Sequence, residues 1–124
     1  MIRLRRFASL FALLLVAPAA LANAELDRAK AAIAAFRQTL PAADLAVLDG
    51  VAAQALKSDL YKPLPWANPA TGTAGTVTPH RPEDSDPENP CRVLDQRAVL
   101  NGRELAGESR WCKTGYGGDW FKVY

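Results

Sequence analysis

The chain has 124 residues, with fifteen Lys and Arg against thirteen Asp and Glu and a formal net charge of +2. Its first 24 residues hold three of the bases, Arg3, Arg5 and Arg6, and no acid, so residues 25 to 124 carry twelve bases against thirteen acids. No basic run is left there, which excludes the electrostatic footprint of a nucleic-acid binder, and a hundred residues make one domain with a small core.

The opening MIRLRRFASLFALLLVAPAALANAE has the layout of a secretory signal peptide: basic residues, an apolar block from Phe7 to Ala17, and the small-x-small site Ala22-Asn23-Ala24. The apolar block is shorter than the roughly 20 residues a helix needs to cross a bilayer. Phe7 follows Arg5-Arg6 directly, which favours the general secretory route over twin-arginine export. Cleavage is expected before Glu25, giving a signal peptide over 1–24 and a single domain over 25–124. No cysteine near that site offers an acceptor for a lipid anchor, so neither a lipid anchor nor a transmembrane helix is expected after processing. The expected location is the periplasm, with outer-membrane association or secretion as alternatives.

Helices are expected within residues 25 to 60. Leu26, Ala29, Ile33, Phe36 and Leu40 share one face at helical spacing, and Pro41 ends that run. A second helix starts at Pro41 or Asp44 and carries Leu45, Leu48, Ala52 and Leu56 towards the core, with Gly50 costing it about 1 kcal/mol relative to alanine.

Residues 61 to 124 form the β region. LYKPLPWANPATGTAGTVTPH predicts a short edge strand near Trp66, a turn on Asn68-Pro69 and Gly72, and a strand from about Ala74 to Thr78. RPEDSDPENP, with three prolines and four acids in ten residues, predicts a solvated loop that includes His80 at its entrance. GYGG then feeds a last strand, DWFKVY. The fold class is α+β, two N-terminal helices packed on a small antiparallel sheet of four to five strands.

The only two cysteines, Cys91 and Cys112, lie symmetrically about Asn101-Gly102. If that pair forms a two-residue type I′ turn, Leu100 faces Arg103 and the same register sets Cys91 opposite Cys112 at a non-hydrogen-bonded position, where Cα atoms approach to about 4.5 Å. An exported chain with two such cysteines is read as disulfide-bonded. A bulge near Gly107 would shift this register.

Catalytic chemistry finds few components. His80 is the only histidine, no serine sits in G-x-S-x-G, and paired cysteines offer no nucleophile, so neither an enzyme nor a cofactor is expected. Glu83, Asp84, Asp86 and Glu88 have the density of a calcium loop, but Pro87 interrupts them and the required glycine is missing, so no metal is assigned. Asp84, Asp86 and Glu88 are instead a candidate binding loop. Trp66, Trp111 and Trp120 are either core packing or a binding surface.

The run W-A-N-P-A-T-G-T-A-G-T-V-T-P from Trp66 to Pro79, with Cys91-Arg92, Asn101-Gly102, Trp111-Cys112-Lys113 and Gly118-Asp119-Trp120, resembles the C-terminal domain of the rickettsial-type 17 kDa outer-membrane surface-antigen family. The resemblance covers about residues 44 to 124 and implies an envelope location and no catalytic residues. The expected function is a non-catalytic exported envelope protein, a binding or structural module acting on an unknown envelope component. The alternative is a secreted or periplasmic inhibitor or binding protein directed at an envelope or host enzyme.

Overall fold

The computed structural model describes residues 18 to 124, so most of the expected signal peptide lies outside the described residues. Two helices, α1 (Pro18–Thr39) and α2 (Ala42–Ala55), precede five strands: β1 (Leu64–Asn68), β2 (Thr73–His80), β3 (Cys91–Leu100), β4 (Arg103–Lys113) and β5 (Trp120–Lys122). The strands form one antiparallel meander in the order β1-β2-β3-β4-β5. The α+β class, the helices ahead of the sheet and the disulfide staple are as expected from the sequence.

Several boundaries differ. The first helix is already formed at Pro18, the first described residue, and so extends ahead of Glu25, and the second stops at Ala55 rather than reaching residue 60. Leu56 caps α2, and the chain then turns through Tyr61, whose φ of 64° breaks any helical continuation. His80 is not at a loop entrance. It is the last residue of β2, paired with Val93, and its ring meets Tyr61 edge-on at 5.4 Å.

The core lies between the helices and one face of the sheet. Ile33 and Phe36 from α1, Leu40 just beyond its end, Leu48, Ala52 and Ala55 from α2, and its cap Leu56 pack on Trp66, Val77, Leu94 and Ala98. Alternation along the strands sends Cys91, Val93, Asp95, Arg97 and Val99 to the opposite face. Gly107 lets α1 approach β4: a Cβ there would lie 3.0 Å from Phe36 and 3.1 Å from Ile33. α2 runs unbroken through Gly50, where a side chain would meet open space. The helices are also joined by Arg37, which donates to both carboxylate oxygens of Asp49 at 2.7 and 3.0 Å.

The β3–β4 hairpin follows the expected register along its whole length. Asn101 and Gly102 have φ of 51° and 76°, the positive values a type I′ turn requires. Leu100 pairs with Arg103, Gln96 with Gly107 and Cys91 with Cys112, so there is no bulge at Gly107. Lys113 N–H donates to Pro90 O at 2.9 Å, making 90 with 113 a hydrogen-bonded pair and leaving 91 with 112 as the closer, non-hydrogen-bonded kind. The cysteines are bonded there, with Cα atoms 4.0 Å apart.

Candidate binding site at the disulfide end of the sheet

The polar residues of the Trp66 to Pro79 run are used in building the fold. Asn68 opens the β1–β2 turn: its Oδ1 accepts from Ala70 N–H at 3.2 Å, and its carbonyl accepts from Gly72 N–H at 2.8 Å. Gly72, at φ of 75°, supplies the left-handed residue that brings the chain back into β2. Asn68 Nδ2 then donates to Asp44 Oδ1 at 2.9 Å, and Thr71 Oγ1 donates to the same oxygen at 2.5 Å. Asp44 is fully buried in the first turn of α2. Its burial pushes the carboxyl pKa up, but hydrogen bonding from Thr71, Thr73 and Asn68 outweighs this and holds it below the ordinary value.

The three tryptophans do not form one cluster. Trp66 is buried and pairs with Gly75, where a Cβ would lie 2.9 Å from its Nε1. Trp111 and Trp120 are half-buried at the other end of the sheet. Trp111 Nε1 donates to Ser109 Oγ at 3.1 Å, the same hydroxyl that accepts from Gln96 Nε2 at 2.7 Å. Trp66 belongs to the core and Trp111 and Trp120 both pack against it, but Trp120 also faces two cations.

The acidic loop is tied down more than a freely solvated segment would be. Asp84 pairs with Arg110 at 3.1 Å, and Asp86 Oδ1 accepts from Glu88 N–H at 2.9 Å. Ser85 Oγ accepts from Cys91 N–H at 2.9 Å, while Asn89 Oδ1 accepts from Gly115 N–H at 3.0 Å. The loop thus clasps the open end of the hairpin beside the disulfide. Glu88 is exposed, and its carboxylate makes no hydrogen bond among the described residues. No group of three or more His, Cys, Asp or Glu among the described residues is arranged to hold a metal ion.

Sequence reasoning missed the role of Arg92. Its Nη1 donates to Ala55 O at 2.8 Å and to Ser58 O at 2.6 Å, satisfying carbonyls left over at the end of α2. Burial lowers the Arg92 pKa, the neighbouring positive charge of Arg81 lowers it further, and Asp59 acts in the opposite sense. Arg92 Cζ lies 5.7 Å from the Trp120 ring centroid and Lys113 Nζ lies 5.0 Å from it. Arg81, Arg92, Lys113, Tyr116 and Trp120, with Leu60, Pro90 and Cys91, line a cleft of about 190 Å³. The motif Cys-Arg was the available signal, since alternation puts Arg92 on the helix-covered face once Cys91 is assigned to the other.

Fold and site together define a small disulfide-stapled α+β domain with a cationic, aromatic-walled cleft. No protein-family model, curated protein or solved structure matches the chain.

Proposed function

We propose that the protein is a non-catalytic binding module of the cell envelope, exported before it folds. The observation that carries this reading is the Cys91–Cys112 bond across β3 and β4, a covalent staple that fits an oxidising compartment. The signal-peptide pattern and the resemblance to the surface-antigen family support the same location. Binding is favoured over catalysis because Asp44, Asn68 and Ser109, buried polar groups suited to chemistry, are engaged in hydrogen bonds that build the fold. At the disulfide end, by contrast, Tyr116 stands 77% exposed at a cleft.

The test is photo-crosslinking in intact cells with a probe at Tyr116 and, separately, at Glu88, combined with osmotic-shock fractionation. Release by osmotic shock and a crosslink to an envelope component are expected. Crosslinks from Glu88 alone would move the binding surface to the acidic loop. Recovery in the cytoplasmic fraction with reduced thiols would overturn the proposal.

A further inference from the structure

We propose that the cleft between Arg81, Arg92, Lys113 and Trp120 binds a phosphate group. This deepens the binding reading above and rests on it. Three cations line one small cleft, and neither Arg81 nor Lys113 forms an ion pair among the described residues. The carboxylate that acts on Arg92, Asp59, is itself paired with Lys62 at 3.1 Å. The lining therefore holds three cations and no acid, and the lowering of the Arg92 pKa, caused first by burial, is increased by the nearby charge of Arg81. An arrangement of this kind is stabilised when an anion enters it.

The charge count selects phosphate over a single carboxylate. A phosphate monoester carries about −1.5 to −2 at neutral pH, which matches two unpaired cations and the residual field of a third. The chemistry is divided among the side chains. Arg92 is held in place by Ala55 O and Ser58 O through Nη1, so its remaining N–H groups are pre-positioned. Lys113 contributes a point charge over the Trp120 ring, and Arg81 a planar donor fork from the exposed rim. Exposed Tyr116 forms the outer wall, against which the group bearing the phosphate would rest. The source is either a soluble phosphate compound or a phosphomonoester lipid headgroup.

Titration followed by two-dimensional NMR of the protein purified with its disulfide intact tests this, using inorganic phosphate and, separately, phosphatidylcholine vesicles with and without phosphatidic acid. Saturable shifts are expected at the Trp120 indole N–H and the Arg81 and Lys113 amides, with chloride at matched ionic strength producing none. Affinity should fall at least about tenfold in R81Q/K113Q, since charge-assisted hydrogen bonds are lost, and stay unchanged in R103Q at the distant hairpin end. An unchanged Trp66 indole signal shows that the double variant retains its fold. Shifts with free phosphate indicate a soluble source, and signal loss only with phosphatidic acid vesicles indicates a lipid source; either supports the proposal. No saturable response to either probe, or one that R81Q/K113Q leaves undiminished, overturns it. If Tyr116 crosslinks to an envelope component in cells while both probes fail, the phosphate proposal falls and the binding reading stands.

Discussion

Asp44 Oδ1 accepts a hydrogen bond from Asn68 Nδ2 at 2.9 Å, joining the first turn of α2 to the turn between β1 and β2, 24 residues along the chain. Thr71 adds a second donor to the same oxygen. A buried carboxylate held this way orients the helix on the sheet, because neither the helix start nor the turn can move without stranding a buried charge.

The Asp44 pKa lies below its ordinary value of 3.8. A carboxyl whose folded-state pKa is depressed contributes stability that is present above the unfolded value and lost as pH falls through the folded one. Thermal melting followed by circular dichroism from about pH 7 to about pH 2 should show a falling midpoint on the acid side of 3.8. The D44N variant should melt lower at neutral pH and show a shallower acid limb. An acid limb identical in the two proteins would show that Asp44 is not a principal titrating group of the fold.

Two glycines should respond to alanine in opposite directions. At Gly75 an added Cβ would lie 1.8 Å from the backbone oxygen of Arg97, and a strand carbonyl has little room to yield. Gly75→Ala should cost about 3 kcal/mol by urea denaturation. Gly50 has nothing within 4 Å of its missing Cβ and sits inside α2, so Gly50→Ala should stabilise by about 1 kcal/mol. A neutral result at Gly75 would show that β2 and β3 readily shift apart.

The contrast between these elements explains what was legible in the sequence. The hairpin from Cys91 to Cys112 was readable residue by residue because Asn101-Gly102 demands one turn type and strand pairing then propagates the register by counting. The helix faces were readable from Ile33, Phe36, Leu48 and Ala52, whose spacing reflects burial directly. Asp44 was legible only as a helix start, since its partners Asn68 and Thr71 are brought to it by tertiary packing that no local pattern encodes. The cationic cleft was hidden for the same reason: Arg81, Arg92 and Lys113 belong to a loop and two strands and converge only after the sheet forms. His80 was misplaced because Pro79 and the following Arg81-Pro82 suggested a loop, whereas Pro79 lies within β2 opposite Leu94.

Reduction of Cys91–Cys112 should leave the hairpin register intact while lowering global stability. The bond closes a loop with a sequence separation of 21, for which the chain-entropy model gives about 3 kcal/mol. Urea denaturation with and without reductant, and of the Cys91→Ser/Cys112→Ser double variant, measures this. The Asn101 and Gly102 amide signals should persist in the reduced protein because the type I′ turn is set locally. Their loss under conditions where the core remains folded would show that the disulfide, and not the turn, fixes the strand pairing.

Removing residues 1 to 24 should leave the domain's stability unchanged. Ala20 through Glu25 are exposed on α1, and the face packed towards the sheet begins at Leu26, continuing through Ala29, Ile33, Phe36 and Leu40. Every fully buried residue of α1 therefore lies beyond the expected cleavage point. The shortened helix still presents Ile33 and Phe36 to Gly107, so the contact that seats it against β4 is retained. The chain beginning at Glu25 should match the full chain in unfolding free energy from urea denaturation to within about 0.5 kcal/mol, the ordinary range for changes away from packed features. Intact-mass measurement of the exported protein should give the same starting residue. A loss of about 2 kcal/mol or more would mean that Leu21 or its neighbours brace α1, and processing at Ala24 would then have to release a weakened fold.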